Sequence, residues 1–460
     1  MRISGSNIVK ASCAILLLGI LAVSCGKDPI FYLISTETAP VPPRIPGAPT
    51  NMVVFEREIA SGDKIKFLFV ASGRLHWYGS PDPVTESPGW DRDYGIPQPG
   101  GKIIALAVTK DHLYALCLSG NSLRATLRRI GKGHNDSWQE MTNSSSTYTL
   151  IQSIYSTYSD DPADDGQLFV GARKNDKENE DYGILYLSGT TLKTLRDNTT
   201  LLSGAAYRNS SYYVCTRSDD EKRGGRILKV STAFNSVTQL NNIGSEKIKV
   251  PKDPQVEPPE FDDKWRITYN YKDISFMGMI KLKNTEGSII AIERDRGYLY
   301  EILTDTDVNN MFPSPQDTTA VDALKDSAFS QIYYKNGDKA ETGGYAMGGL
   351  ALWEGDSTKL LVASRQGTLL STSYNNGYRE FLLKSDGSFD KTRILYPSFM
   401  YTCDESRYTT SLGKHPINHL FQAPDTVDKD KTFFTSTQTG GLWSYRNRIG
   451  SGGWQWNAED

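Results

Sequence analysis

The chain has 460 residues, of which 38% are hydrophobic and 23% are charged, a balance typical of a folded globular protein. The formal net charge is only −3. Because nucleic-acid-binding proteins need a clustered basic face, we expect no nucleic-acid partner.

Residues 1–24 have the plan of a bacterial secretion signal. Arg2 and Lys10 precede a run of fourteen apolar and small residues. A bilayer-spanning helix needs about 20 apolar residues, so this run is too short to cross a membrane comfortably. The run ends in AVSC, which resembles the lipobox of bacterial lipoproteins and places its cysteine at Cys25.

The lipobox resemblance implies that Cys25 is lipidated. Cleavage after Ser24, diacylglycerol on the Cys25 sulfur and a further acyl chain such as palmitate would anchor the protein to a membrane of the bacterial cell envelope. More than one acyl chain is needed for stable anchoring. The alternative is an ordinary signal peptide with an incidental cysteine. The sequence leaves open the inner or outer membrane, and a periplasmic or surface-facing position.

Residues 25–50 carry the lipidated cysteine and a flexible proline-rich segment. Prolines at this density favour a semi-extended chain over a packed element, so we expect a tether that holds a globular domain off the membrane. The prolines are Pro29, Pro40, Pro42, Pro43, Pro46 and Pro49.

Residues 51–460 have the pattern of an all-β domain. No helix-length run has a 3.6-residue period, whereas many short runs rich in Val, Ile, Tyr, Phe and Thr are separated by turn residues. Seven strand–turn–strand hairpins recur, and an apolar run precedes each. These preceding runs lie at 52–56, 103–108, 151–155, 201–207, 274–280, 345–352 and 417–423.

An inner strand followed by a hairpin is what each blade of a β-propeller needs, because one sheet cannot bury both faces until neighbours stack around the ring. We therefore predict a single β-propeller of seven blades. Six or eight would also fit, since outermost strands are the hardest to recognise. The alternative, two β-sandwich domains, lacks a linker between the halves.

Several residues have predicted places in this fold. Gly183 is assigned to a hairpin turn. Trp454 and Trp456 are assigned to the closing strand or the outermost strand of the last blade, with the N-terminal segment as a possible partner. The small residues of the inner runs are expected to line a crowded channel wall, where backbones approach closely. They are Gly204, Ala205, Gly278, Gly348 and Gly349.

Cysteine and histidine patterns do not favour a metal site. None of the five cysteines forms a C-x-x-C pair, and Cys117 and Cys215 lie in apolar runs that predict buried, inert thiols. His415 and His419 are four residues apart, but Pro416 between them argues against the helical spacing of a zinc site.

A weak calcium candidate lies at Asp305, Asp307 and Asn309, which match the first ligand positions of a calcium loop. Asn310 replaces the glycine of the sharp bend, and Gln316 replaces the bidentate glutamate. An ordinary solvated turn is therefore favoured, and we expect no metal or cofactor.

Enzyme signatures are absent from the sequence. We find no G-x-S-x-G elbow, P-loop or convincing sialidase-type Asp-box, so no catalytic residue is assigned and a noncatalytic role is favoured. The 25 tyrosines and 8 tryptophans could mark a protein- or sugar-recognition face, or simply suit β-strands.

The stretch DHLYALCLSG at 111–120 is similar to the YALD-type repeats of quinoprotein-like propellers, including the lipoprotein scaffold of the outer-membrane protein assembly machinery. The resemblance covers one blade well. It implies a propeller fold and an envelope location, and it transfers no quinone ligand set.

The sequence therefore predicts a membrane-anchored envelope lipoprotein whose β-propeller is a noncatalytic platform for an envelope protein partner. The alternative is an exported propeller enzyme or lectin that acts on glycans.

Overall fold

The apolar runs of residues 51–460 form β-strands in the structure, which is a computed structural model. The described residues contain thirty strands and no α-helix, so the all-β prediction is confirmed. No helix in this part of the chain could cross a bilayer. The structure describes residues 45–120, 124–158, 166–174, 181–218, 224–240, 247–248, 267–268, 275–284, 287–295, 297–302, 329–332, 340–342, 344–355, 357–366, 375–392, 415–447 and 454–459.

Within these ranges, strands that follow one another in the chain pair antiparallel, and we group them into units labelled blades I to VII. Blades II and III belong to one nine-stranded sheet, in which Ala125 pairs with Ile151. Blade I is β1 (Val53–Glu58), β2 (Lys64–Ser72), β3 (Arg74–Gly79) and β4 (Gly89–Trp90); blade II is β5 (Lys102–Val108), β6 (Leu113–Leu118), β7 (Ala125–Ile130) and β8 (Gln139–Glu140). After β9 (Thr142–Asn143), blade III is β10 (Leu150–Ser156), β11 (Leu168–Arg173), β12 (Tyr182–Ser188) and β13 (Thr191–Thr199).

The later blades follow the same plan. Blade IV is β14 (Leu202–Arg208), β15 (Ser211–Thr216), β16 (Ile227–Ser231) and β17 (Val237–Gln239). A two-stranded sheet of β18 (Lys247–Ile248) and β19 (Ile267–Thr268) follows. Blade V is β20 (Phe276–Lys281), β21 (Ile289–Glu293), β22 (Leu299–Ile302) and β23 (Phe329–Gln331). Blade VI is β24 (Tyr345–Glu354), β25 (Thr358–Gln366) and β26 (Asn375–Leu382); blade VII is β27 (Ile417–Gln422), β28 (Phe433–Thr437), β29 (Leu442–Asn447) and β30 (Trp454–Ala458).

The hydrophobic core lies between the blades. Because side chains alternate across a strand, each sheet has two apolar faces, and each face packs on a neighbouring blade. The described residues form one buried cluster for each pair of consecutive blades from I–II to VI–VII. A further cluster joins VII to I, in which Phe434 and Leu442 pack with Leu68 and Val70. This arrangement is a β-propeller, as the sequence predicted.

The inner strand of each blade starts at the same end of the propeller. Ser153 Oγ donates to the Leu202 carbonyl at 2.9 Å, and Ser203 Oγ donates to the Phe276 carbonyl at 2.6 Å. The first halves of the inner strands β10, β14 and β20 therefore lie side by side. Six inner strands, β5, β10, β14, β20, β24 and β27, shift register near their first residues. We call this the bulge end, and the end where the inner strands finish is the turn end.

Glycines in the inner strands lie where backbones approach closely, as predicted. A Cβ on Gly204 would stand 2.9 Å from the Met279 nitrogen, and a Cβ on Gly349 would stand 3.3 Å from the His419 Cα. Because these neighbours are backbone atoms, a side chain cannot be accommodated by a rotamer change.

Two other sequence assignments have clear outcomes. Trp456 lies in β30, the outermost strand of blade VII, which is one of its two predicted places, and its side chain is buried. Gly183 lies inside β12 and not in the turn to which the sequence assigned it, so that assignment is wrong. The physical reason is packing: a Cβ at Gly183 would stand 2.7 Å from the Tyr148 ring.

Residues 45–50, which the sequence assigned to the tether, pack against blade VII. The Ile45 side chain is fully buried, and its carbonyl accepts the Leu442 N–H at 3.1 Å. Just beyond, the Met52 N–H donates to His419 Nδ1 at 3.2 Å. The chain therefore enters blade I along the bulge end of blade VII.

Candidate binding surface at the turn end

The residues singled out as sites in the sequence lie outside the described residues. They are the lipidation residue Cys25 and the weak calcium candidates Asp305, Asp307 and Asn309. Their assignments stay predictions.

Cys117 and Cys215 are free and buried, as the sequence predicted. Burial raises the pKa of the Cys117 thiol to about 11 and that of Cys215 to about 12. Because the thiolate is the reactive form, both side chains are inert at neutral pH.

The two neighbouring histidines have separate partners. His415 Nδ1 lies 2.9 Å from Thr439 Oγ1, whereas His419 Nδ1 accepts the Met52 N–H. That hydrogen bond puts the proton of the neutral His419 ring on Nε2. Within the described part of the chain, no three His, Cys, Asp or Glu side chains converge as metal ligands do.

Four half-buried aromatic side chains of blades III and IV meet at the turn end. We call Tyr186, Tyr207, Tyr212 and Phe234 the aromatic cluster. The Phe234 ring stacks on Tyr186 at 4.0 Å between centroids with 13° between planes, and on Tyr212 at 5.5 Å with 17°. Tyr207 lies 5.5 Å from Tyr212. The buried Phe169 supports the cluster from below, 5.6 Å from Tyr212.

Strand direction brings these residues together. Tyr207 is the penultimate residue of β14, and Tyr212 is the second residue of β15, so they flank the turn between the two strands. Tyr186 lies in the second half of β12, which runs towards the turn end. Phe234 occupies the turn between β16 and β17, at the same end.

Phe234 is held in a left-handed backbone conformation, with φ of 57°. Bulky side chains rarely adopt this region, and such strain costs of order 1–3 kcal/mol. Ser231 stabilises the turn: its carbonyl accepts the Phe234 N–H at 2.9 Å, and its Oγ donates to Asn235 Oδ1 at 2.8 Å. The turn thus presents an aromatic side chain in a conformation that a smaller or polar residue would adopt at lower cost.

The cluster has an apolar centre and a polar rim. Thr232, Asn235 and Ser236 surround Phe234 and are exposed, and Asn209 is exposed beside Tyr207. An apolar, aromatic centre within a polar rim is the usual anatomy of a protein-binding surface. The side chains offer contact area and hydrogen-bonding hydroxyls.

A second aromatic group lies between blades VI and VII, and its rings contact other side chains of the propeller. Lys359 Nζ lies 5.4 Å above the Trp353 ring and 2.6 Å from Glu380 Oε2. Trp353 stacks on the buried Phe433 at 5.5 Å. Since its cation and its ring partner are both internal, we assign this group to packing between blades.

The sequence shows a chain rich in aromatic residues, but it does not predict this cluster. Its members come from three strands and one turn, and only the fold brings them together. The turn TAFNS, with one aromatic residue among small and polar ones, is the local signal that could have drawn attention to Phe234.

No protein-family model and no curated protein matches the chain. Solved structures with similarity include a puromycin hydrolase S511A mutant complexed with PGG, at 12% identity, a TM-score of 0.42, and coverage of 86% of this chain and 52% of that one. Dihydro-heme d1 dehydrogenase NirN is 11% identical, with a TM-score of 0.39 and coverage of 86% of this chain and 64% of that one. The Dos1 propeller is 8% identical, with a TM-score of 0.35 and coverage of 86% of this chain and 80% of that one. This chain spans about half the length of the first and under two thirds of the second.

Proposed function

We propose that this chain is a bacterial envelope lipoprotein, anchored through Cys25, whose β-propeller is a noncatalytic platform for an envelope protein. The observation that carries the binding role is the half-exposed aromatic cluster with the strained Phe234 at its centre. The AVSC motif and the proline-rich segment after it support the anchor.

The chemistry of the cluster favours a polypeptide partner. Buried aromatic anchors supply much of the affinity of protein interfaces. Because Phe234 stacks on both Tyr186 and Tyr212, at least one face of each ring is already covered within the cluster. A glycan site of the aromatic-platform type needs free ring faces, whereas a polypeptide can pack against ring edges and hydroxyls.

Crosslinking in envelope membranes tests this role with three forms of the protein. They are the wild type, Phe234→Asn and the control Val84→Ser. Asparagine tolerates the left-handed conformation, so the first variant removes the ring and keeps the turn. Val84 is 70% exposed and lies at the turn end of blade I. Its replacement by serine is a matched control, because it also removes one apolar side chain from this end.

We expect one partner to crosslink to the wild type and to Val84→Ser, and its yield to fall at least tenfold with Phe234→Asn. Circular dichroism of each purified form checks that the β-sheet content is unchanged. Equal yields from all three forms would contradict the assignment of the cluster. Turnover or binding of glycans without a stable protein partner would support the exported enzyme or lectin instead.

A further inference from the structure

The two ends of the propeller differ in how they connect to the membrane-proximal part of the chain. Residues that lead into β1 are fixed at the bulge end: Gly47 accepts the Gly441 N–H at 3.0 Å, and Pro49 accepts from Asn418 Nδ2 at 3.4 Å. With the buried Ile45, these contacts fix where the chain leaves the propeller.

The aromatic cluster lies at the opposite end. The six residues of β1 separate the two ends by about 20 Å at about 3.3 Å per residue, before the loops are added. Nineteen residues lie between Cys25 and Ile45. At about 3.3 Å per residue when fully extended, a segment of this length reaches at most about 60 Å.

A tether of this length is long enough for either end of the propeller to face the membrane. Its attachment at the bulge end nevertheless favours one of the two orientations. To bring the turn end to the membrane, the tether must run back along the outside of a blade. That path uses up about a third of its reach, before the loops are added, and leaves the tether fewer conformations, which lowers its entropy.

We propose that the bulge end faces the membrane and that the turn end, with the aromatic cluster, points away from it towards the protein partner. This inference rests on the lipid anchor of the proposed function. It makes the partner a protein that reaches the membrane-distal side of the propeller, and it excludes insertion of the cluster's tyrosines into the interface of the same membrane.

Depth-dependent quenching tests the orientation. Lipidated protein is placed in phosphatidylcholine vesicles that contain lipids with an energy-transfer acceptor dye on the headgroup, which quenches a donor over the tens of ångströms that the tether allows. A fluorophore is attached either at Val84→Cys, in the turn-end loop after β3, or at Ser119→Cys, in the exposed bulge-end turn after β6. Both variants are made in a Cys403→Ser background, and the buried Cys117 and Cys215 stay unlabelled.

We expect quenching at position 119 to exceed that at position 84 by at least twofold, with both labels equally accessible to a soluble quencher. Equal quenching, or stronger quenching at position 84, on protein that floats with the vesicles would overturn the orientation and leave the anchor standing. Protein that fails to float with the vesicles would overturn the anchor and the orientation together.

Discussion

Trp90 and Glu459 are 369 positions apart in the sequence, and the Trp90 Nε1–H donates to Glu459 Oε2 at 2.6 Å. Both side chains are buried between blades I and VII, where the Tyr78 hydroxyl also donates to Asp428 Oδ2 at 3.1 Å. In the described residues, blade I contains only strands from the start of the propeller and blade VII only strands from its end. Within the described residues, side-chain contacts and the backbone hydrogen bonds of Ile45 and Gly47 to blade VII, and not a shared sheet, therefore hold the ring closed.

Trp90→Phe should lower the free energy of unfolding by about 1–3 kcal/mol, because it removes a buried hydrogen bond to a carboxylate. Urea denaturation followed by circular dichroism measures the change. The control is Glu86→Gln, because Glu86 pairs with Arg92 at 3.4 Å in an exposed position. This variant should change the free energy of unfolding by less than about 1 kcal/mol. Equal effects of the two variants would show that the Trp90–Glu459 bond does not secure the closure.

Stability should depend on pH through His419, which accepts the Met52 N–H at the same closure. Loss of water around the half-buried imidazole lowers the pKa of His419 from 6.5 to about 4. The unfolded chain therefore binds this proton first on acidification, so stability is fully present above about pH 6.5 and falls as the pH drops towards 4.

The loss of stability between pH 6.5 and 4 should be smaller in His419→Asn than in the wild type. The asparagine side-chain oxygen can still accept the Met52 N–H. Thermal denaturation across this pH range measures it, with His415→Asn as the matched control. A slope that is unchanged in His419→Asn, or that shrinks equally in the control, would rule out this source of acid sensitivity.

Gly204→Ala should destabilise the protein by about 1–3 kcal/mol, because the new methyl group would stand 2.9 Å from the Met279 nitrogen of the next blade. Gly189→Asn is the control: φ is 64° there, no atom lies within 4 Å, and asparagine tolerates this conformation. A Gly204→Ala protein as stable as the control would mean that the inner strands can separate without penalty.

Cys117 and Cys215 should resist iodoacetamide in the native protein at pH 8, because the pKa of each thiol lies far above that pH. Peptide-resolved mass spectrometry measures alkylation of each cysteine, and urea-unfolded protein supplies the fully reactive reference. Rapid alkylation of either thiol in the native state would show that its blade interface opens readily.

The inner strands could be predicted from sequence because their apolar runs are local. The run at 417–423 corresponds to β27 (Ile417–Gln422), and the run at 103–108 to β5 (Lys102–Val108). Contacts such as Trp90–Glu459 could not be predicted, since nothing local links residues so far apart. The packing of Ile45 against blade VII could not be predicted either, because a single apolar residue among prolines forms no periodic pattern.

The aromatic cluster was predictable only in part. Tyr207 and Tyr212 could be placed on adjacent strands from the hairpin pattern. Their contact with Phe234 depends on a left-handed turn in a residue type that seldom adopts one, and the contact with Tyr186 crosses from one blade to the next. Strand propensity explains why aromatic residues are common here, but not why four of them meet at the surface.

Lipid attachment at Cys25 is tested most directly by metabolic labelling with a radioactive or clickable fatty acid. The wild type is compared with Cys25→Ala and with Cys13→Ala, a matched change inside the signal segment. We expect label and membrane association in the wild type and in Cys13→Ala, and an uncleaved or soluble, unlabelled protein from Cys25→Ala. Unchanged labelling of Cys25→Ala would contradict the anchor on which the tethered platform depends.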